Sequence, residues 1–402
     1  MTSTQPDRAT RPEAPKPAGR RAPDLRYQEA EEELRAVVRE LLEDRAAPPA
    51  VLARLESAEP TDAGLWHTLA AGLGCAGLLI PEQTGGAGAS YREAAVVAEE
   101  TGRAAAPVPY LGSAVVATAA LLPSGDELLA GLASGEVTAA LAVEFARMPG
   151  ATVPGTAPVS GVRVTGPQPG DQPGTARLTG TVTGVADALI AGVLLVPADG
   201  VPFGLYAVDA SAPGVAVEQV GSLDQTRPLA DLTFGQVPGR LVASGDAAKQ
   251  AVSAALTAGA AMLASEQLGV AQRCLDMTVA YLKERRQFAR QVGSFQALKH
   301  RLADVWVSVT QARAAARYAA ACLAEDDPDA PVAVALAKAA CGDAAVLAAQ
   351  ECVQLHGGIG FTWEHPAHIF LKRAKSGSVA FGTPDRHRAV LADLVGLPPP
   401  GH

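Results

Sequence analysis

Apolar and polar positions recur along the chain with two different periods, and the change of period divides it into three regions. In the first region apolar residues return every three or four positions, which is the spacing of one helix face. The first such stripe is predicted to contain Leu25, Ala30, Leu34, Val37, Val38 and Leu41. The pattern predicts a helical domain over residues 23–136.

The pattern changes near Val137, where short segments rich in β-branched residues are separated by Gly, Pro and Asp. Examples are ARLTGTV, LIAGVLLVPA and FGLYAVDA. Runs of this length between turn residues are typical of strands in an antiparallel sheet or barrel. Residues 137–244 are therefore predicted to form a middle antiparallel β-domain.

Long Ala-rich helical patterns return at residue 245 and are typical of neighbouring helices in a bundle. The predicted fold class is α+β: an N-terminal helical domain, a middle antiparallel β-domain and a C-terminal four-helix bundle over residues 245–402. Residues 1–22 are rich in Pro, Arg and Ala and lack the apolar segment of a signal peptide. They are predicted to be a disordered tail.

Composition narrows the classes of function. The 402 residues carry a net charge of -9, so there is no basic field for nucleic acid. The uninterrupted apolar runs fall short of a membrane span. The five cysteines show no metal-ligand spacing and are predicted to be buried, reduced thiols of a cytoplasmic protein. His365 and His368 have a spacing that suits a metal on a helix, but Pro366 lies between them and no metal site is predicted.

Local motifs in the C-terminal half resemble those of a known family. The segments YLKERRQFARQVGSFQALKHRLAD (281–304) and QLHGGIGF (354–361) and the Gly382-Thr383 pair follow one another at intervals similar to those of acyl-CoA dehydrogenases. These flavoproteins remove hydrogens from Cα and Cβ of an acyl thioester. The resemblance covers the chain from about residue 25. It implies the family fold, an acyl-CoA substrate, FAD as cofactor and electron transfer flavoprotein as acceptor.

The resemblance also assigns a set of cofactor contacts. The FAD pyrophosphate requires a fixed cation, amide donors and close backbone approach, which glycine permits because it lacks a Cβ. The predicted contacts are Arg285, Gln296, Gln354, Leu355, His356, Gly357, Gly358, Thr383 and Asp385. In the family much of this set serves the flavin of a neighbouring subunit. The chain is therefore expected to form an oligomer through its C-terminal helices.

The catalytic base of the family is missing. Abstraction of the proton α to a thioester requires a carboxylate. Most relatives place a Glu directly before the Gly-Thr pair, where this chain has Phe381, and a minority place it at a position corresponding to about Gly259. Glu266, roughly 10 Å further along the same helix, is a candidate relocated base, with a structural ion pair as the alternative. Glu364 is a further candidate, with ordering of the cofactor turn as the alternative.

The β-domain departs from the family pattern as well. The stretches that embrace the flavin ring in relatives correspond here to AVEFARMPG (142–150) and LTGTVTGVADALI (178–190), which lack the usual Lys, Trp and most polar groups. The chain thus resembles the non-catalytic partner in hetero-oligomeric acyl-CoA dehydrogenases, in which a homologous chain brings the Glu. Two alternatives stay open. One is a self-sufficient, homo-oligomeric dehydrogenase that uses Glu266 or a substrate-derived base, and the other is a flavin-free binding or scaffold protein.

Overall fold

The computed structural model describes residues 23–57, 59–150, 161–166 and 174–398. The predicted tail, residues 1–22, lies outside this range. The described residues form helices, then a sheet, then a second set of helices, as the hydrophobic pattern predicts. The predicted α+β fold class is confirmed.

The first region is a cluster of short helices around a shared apolar core. Its α-helices are α1 (Glu29–Arg45), α2 (Pro48–Leu55), α3 (Ala63–His67), α4 (Tyr91–Ala104), α5 (Thr118–Leu121) and α6 (Leu128–Ser134). A π-helical segment, Tyr110–Ala117, runs directly into α5. The segment brings buried side chains toward the sheet that follows.

The predicted stripe of α1 is only partly correct. Val38 and Leu42 are buried, but Val37 is 49% exposed. Helix α1 packs mainly on α4, so its contact face is narrow, and adjacent residues are rotated by about 100° around a helix. Ala30 is exposed for the same reason, and Leu25 precedes the helix.

The middle region is a seven-stranded sheet. Its strands are β1 (Ala139–Leu141), β2 (Val162–Thr165), β3 (Thr175–Ala186), β4 (Val193–Ala198), β5 (Gly204–Asp209), β6 (Val215–Val220) and β7 (Leu229–Ser244). Their order is β1-β4-β5-β7-β3-β2, with β6 also paired to β7. The antiparallel prediction is wrong at one edge, because β1 pairs with β4 in parallel. A long connection separates these two strands in the chain, which permits the parallel arrangement.

The third region is a bundle built on the 40-residue helix α7 (Gly245–Glu284). It continues with a hairpin of β8 (Arg286–Gln287) and β9 (Arg290–Gln291), then α8 (Gln296–Ala324), α9 (Ala330–His356), α10 (Ala367–Val379) and α11 (Pro384–Leu394). Helix α7 packs on α4, α8 and α9. A Cβ on Gly269 would lie 1.9 Å from the Glu99 carbonyl oxygen, so glycine is required where α7 crosses α4.

Helix α9 lies in one of the Ala-rich stretches that the sequence pattern assigns to the C-terminal bundle. The helical stretch Ala330–Phe361 is long and apolar enough, by length and composition, to cross a membrane. However, 67% of its most apolar window is buried inside the protein, where α9 packs on α7 and α8. Burial in the bundle accounts for its composition.

The cysteines behave as predicted from their Ala-rich surroundings. All five are free and buried. Burial disfavours the charged thiolate and raises the pKa of Cys75 and of Cys341 to about 12. Both thiols therefore act as small apolar groups in the core.

Candidate active site

The turn between α10 and α11 carries Phe381 at the position where the family resemblance implies a catalytic Glu. The side chain is 3% exposed. Its backbone has a φ of 52°, in the left-handed region that bulky residues rarely adopt. The Phe381 N–H donates to the Phe145 carbonyl at 2.8 Å, and Nε2 of His387 donates to the Phe381 carbonyl at 2.8 Å. These two bonds hold the backbone of the unusual turn in place.

The two family positions for the base lie in contact with each other. A Cβ on Gly259 would lie 2.7 Å from Cζ of Phe381 and 2.9 Å from Cγ2 of Val116. The Phe381 ring therefore rests on α7 at the glycine, and it excludes any longer side chain from position 259. Two positions found separately by counting along the sequence thus meet at one place in the fold.

The Phe381 ring also meets Phe145 from the β-domain. The two ring centroids are 5.4 Å apart, with an edge-to-face angle of 74°, a favourable geometry for aromatic pairs. The cavity that remains beside the rings is about 20 Å³ in volume, which is room for about one water molecule. Among the residues that line it, Asp187 is the one with a polar side chain.

Asp187 is a carboxyl group at this position that the sequence analysis did not single out. It is buried with a φ of 60°, and Oδ2 accepts the N–H of Gly112 at 3.0 Å. Burial raises the pKa of Asp187, while the charges of Arg227 and Arg373 oppose the shift. A non-glycine residue in the left-handed region gives no distinct sequence signal, because Asp is common in ordinary turns.

Glu266 is held in a buried ion pair. Its Oε1 lies 3.1 Å from Nη1 of Arg227 and 2.9 Å from Nε of Arg373, and its Oε2 lies 2.6 Å from Nη2 of Arg227. All three side chains are at most 4% exposed. Burial alone would raise the pKa of Glu266, but the two guanidinium groups outweigh it and lower the pKa to about 2.

The same cluster joins the β-domain to the C-terminal bundle. Nη1 of Arg373 on α10 donates to Oγ1 of Thr226 at 2.7 Å and lies 3.5 Å from Oδ2 of Asp224 in the β-domain. The sequence analysis missed both arginines. Arg373 stands in the run LKRAK, which is typical of a solvated helix face. The sequence did contain one signal for a buried cation: Glu266 stands alone inside the apolar run AAMLASEQLGVA, and a buried charge requires a partner.

The predicted cofactor residues near the α9 turn lie on the surface of the chain. Arg285, Gln296, Gln354, Gly357 and Gly358 are all exposed. Gly357 has a φ of 65°, and a Cβ on either glycine would meet no atom within 4 Å. The backbone of this turn is thus open to an incoming group.

His356 and Leu355 behave differently, since both are buried. The His356 ring lies between Tyr281 of α7, with centroids 4.5 Å apart, and His365, at 4.3 Å. The contact with Tyr281, one turn before Arg285, brings the end of α7 and the α9 turn together. Leu355 and His356 therefore support the turn from inside, and they offer no exposed side chain to a ligand.

The other two predicted contacts lie elsewhere. Thr383 caps α11 by accepting the Arg386 N–H, and Asp385 is exposed and paired with Arg388. They follow the Phe381 turn, which touches α7 at Gly259, whereas the α9 turn touches α7 at Tyr281. These points on α7 are roughly 33 Å apart at the rise of an α-helix. The predicted set is therefore two groups, too far apart to be neighbours around one pyrophosphate.

The remaining candidates follow the α9 turn in the chain, and His365 contacts His356 there. Glu364 is exposed, and Nε2 of His368 bonds to the carbonyl of Trp363 at 3.2 Å. In the described ranges, no group of three or more His, Cys, Asp or Glu side chains is placed to hold a metal ion.

Comparison with known proteins decides the family. Residues 28–136 match the family model "Acyl-CoA dehydrogenase, N-terminal domain", and residues 249–396 match "Acyl-CoA dehydrogenase, C-terminal domain". The chain is 35% identical to acyl-CoA dehydrogenase IpdE2 of Mycolicibacterium smegmatis, over 89% of this chain and 96% of the relative. The chain belongs to the acyl-CoA dehydrogenase family.

Solved structures of other acyl-CoA dehydrogenases superpose over nearly the whole chain. A steroid acyl-CoA dehydrogenase, Tcur3481-Tcur3483, gives a TM-score of 0.79 at 33% identity and covers 92% of this chain and 98% of its own. The ChsE4-ChsE5 complex from Mycobacterium tuberculosis gives 0.81 at 28% identity, with coverage of 94% and 100%. Both names describe a pair of chains.

The two sides of this acyl-CoA dehydrogenase chain differ in how they suit FAD. The open Gly357-Gly358 backbone, with Arg285, Gln296 and Gln354 at the same end of the bundle, fits the pyrophosphate of a group approaching from outside. The space beside Phe381 does not fit a flavin ring, because two phenyl rings occupy it. The site is therefore asymmetric.

Proposed function

We propose that this chain is the base-lacking subunit of a hetero-oligomeric acyl-CoA dehydrogenase, which performs α,β-dehydrogenation of an acyl-CoA thioester with FAD. The observation that carries the proposal is the contact between Phe381 and Gly259. Proton abstraction needs a carboxylate within hydrogen-bond reach of Cα, and neither residue has a titratable atom. A homologous partner chain would supply the Glu and the pocket for the thioester.

The cofactor would lie mainly in the partner. When bound, FAD accepts the hydride that leaves Cβ. Arg285 of this chain would hold the pyrophosphate by charge and paired hydrogen bonds, and Gly357 and Gly358 would allow the backbone to approach it. Thr383 and Asp385 belong to the group on this chain's own side, beside the filled cavity. They are expected to contribute little to retention of the flavin.

The names of the relatives support an assembly of two kinds of chain. Tcur3481-Tcur3483 and ChsE4-ChsE5 are each pairs, and the first is called a steroid acyl-CoA dehydrogenase. A steroid acyl thioester is therefore the first substrate to test. Electron transfer flavoprotein as acceptor and a cytoplasmic location stay predictions.

The geometry argues against the self-sufficient alternative. A general base works best with a pKa near the operating pH, whereas Glu266 has a pKa of about 2. Both of its oxygens accept hydrogen bonds from arginine. Freeing it would leave Arg227 and Arg373 buried without their shared anion. A structural role for Glu266 is the proposal that fits these contacts.

Flavin content of purified protein tests the proposal. The chain is purified alone and after co-expression with a Glu-bearing homologue from its gene neighbourhood, and absorbance near 450 nm is recorded. Flavin in the co-purified complex, with turnover of an acyl-CoA, is expected. Flavin and turnover in the chain alone would support the self-sufficient enzyme, and absence of flavin from both would support a scaffold protein.

A pair of variants in the complex tests the direction of the cofactor contacts. Arg285→Gln should lower the flavin content of the complex, because it removes the cation that is proposed to hold the pyrophosphate. Arg286→Gln is the matched control, since it removes the same charge from the neighbouring exposed residue. Equal flavin content in both variants and the wild type would show that Arg285 does not hold the cofactor.

A further inference from the structure

An arginine-rich cleft lies where the N-terminal helices meet the C-terminal bundle. It consists of two adjoining cavities of about 340 and 250 Å³, which share Arg39 and Arg103. Helices α1, α4, α7 and α8 all contribute to the walls. The arginines that line it are Arg35, Arg39, Arg103, Arg273, Arg313 and Arg317.

Carboxylates in the cleft neutralise three of these arginines. Each carboxylate forms an ion pair with an arginine of an adjacent helix. The pairs are Arg35 with Glu99, Arg39 with Glu100, and Arg103 with Asp276. Glu43 is exposed at the edge of the smaller cavity. Arg35 also lies 3.5 Å from Glu32, which does not line the cavities. Six cations therefore face five carboxylates, in a protein whose net charge is -9.

The other three arginines have no carboxylate partner among the described residues. Arg313 donates to the neutral amide oxygen of Gln272. Arg317 donates to the carbonyl of Leu25 and stacks over the Tyr27 ring at 3.8 Å, and its Nε is buried without an acceptor. These contacts orient the guanidinium groups and leave their charge uncompensated.

Arg273 is destabilised as a cation by burial and by the positive charge of a neighbouring arginine. Within the described ranges it makes no hydrogen bond or ion pair, and it faces the smaller cavity. Burial, followed by the positive charge of Arg103, lowers the pKa of Arg273, and Asp276 and Glu43 only partly oppose the shift. A guanidinium group in this situation is stabilised by an added anion.

We propose that the cleft binds a phosphate-type oxyanion, either free pyrophosphate or the diphosphate of a nucleotide. Guanidinium groups recognise such anions by paired hydrogen bonds as well as by charge. The cleft is a separate place from the proposed cofactor contacts, because Arg273 lies roughly 18 Å before Arg285 along α7. It is also roughly 21 Å beyond Gly259. The proposal does not depend on the proposed function.

Titration calorimetry of the full chain with pyrophosphate tests the proposal, with sodium chloride adjusted to constant ionic strength. Saturable binding is expected, and Arg313→Gln should weaken it by about tenfold, or about 1.4 kcal/mol. Arg301→Gln is the matched control, because it removes the same charge from α8 at an exposed ion pair with Glu351 outside the cleft. Absence of binding to the wild type, or equal weakening in the two variants, would overturn the proposal.

ADP serves as a second titrant that identifies the source of the anion. Tighter binding of ADP than of pyrophosphate would indicate a nucleotide, and equal binding would indicate the free anion. Both ligands should lose affinity in Arg313→Gln. ADP binding that survives this substitution unchanged would contradict a role for the cleft.

A stability measurement gives an independent readout. Arg273→Met removes a cation without a partner, so it should raise the melting temperature in phosphate-free buffer. It should also reduce the increase in melting temperature that pyrophosphate causes in the wild type. A lower melting temperature together with an unchanged pyrophosphate effect would show that the cleft is already balanced by its own carboxylates.

Discussion

Replacement of Glu266 by Gln tests whether this residue is a structural anion. The substitution keeps the shape of the side chain but removes the charge shared by Arg227 and Arg373. Loss of one partner from a buried ion pair costs about 3–5 kcal/mol, because the remaining charges stay buried. The cluster connects α7, α10 and the β-domain, so the whole chain should lose stability in urea denaturation at pH 7.

A matched substitution at the surface shows how much stability is lost when an exposed arginine pair is broken. Glu351→Gln also breaks an arginine pair, with Arg301, which is 44% exposed. Such pairs contribute about 0–1 kcal/mol. The expected order of stability is therefore wild type, then Glu351→Gln close to it, then Glu266→Gln far below. Near-equal midpoints for the two variants would contradict the structural role.

The dependence on pH follows from the direction of the pKa shift. In the folded chain the pKa of Glu266 is lowered to about 2 from an ordinary 4.5, so its contribution to stability is present above pH 4.5. It is lost as the pH falls from 4.5 toward 2. The stability difference between wild type and Glu266→Gln should shrink over that range. A variant as stable as the wild type that abolishes turnover would instead identify Glu266 as the base.

Three further substitutions have defined outcomes. Phe381→Leu in the co-purified complex should leave turnover per flavin within about twofold of the wild type. As the control, Gln in place of the partner's catalytic Glu should lower turnover by roughly a hundredfold or more. A large loss of turnover in Phe381→Leu would place this turn in the reacting site. Gly269→Ala should lower the free energy of unfolding by about 1–3 kcal/mol or more, because the added Cβ would lie 1.9 Å from the Glu99 carbonyl oxygen. Gly358→Ala, which has open space around the added Cβ, is the control. Equal urea midpoints for the two variants would refute the close crossing of α7 and α4. Lys338 is fully buried and donates to the Gly377 carbonyl at 3.0 Å, and burial lowers its pKa to about 8 from an ordinary 10.5. The stability of the wild type relative to Lys338→Met should therefore rise between pH 8 and 10.5. The same difference in urea midpoint between the two proteins at pH 7.5 and at pH 10 would contradict this.

The order of the three regions could be predicted from the sequence because it depends on local periodicity. Helical spacing and strand-length segments are properties of neighbouring residues, and turn residues separate them. The meeting of positions 259 and 381 was accessible only through the family resemblance, which located both positions by counting. The structure adds that one ring fills the space between them.

Features that depend on distant residues could not be predicted. Glu266 and Arg373 are 107 positions apart, and neither has a local pattern that names the other. The parallel pairing of β1 with β4 joins residues that are far apart in the chain, such as Ala139 and Val193, so no local pattern specifies it. The predicted cofactor residues formed one group in the sequence analysis because sequence spacing does not show their distances in the fold. In the structure, the α9 turn contacts α7 at Tyr281 and the Phe381 turn contacts it at Gly259.

In the proposed assembly, this chain contributes cofactor contacts but no catalytic base. The most direct measurement is the absorbance spectrum near 450 nm of the isolated, full-length chain before and after addition of an acyl-CoA under anaerobic conditions. We expect little bound flavin and no bleaching until the homologous partner is present. An isolated chain that retains flavin and bleaches on addition of the thioester would contradict this.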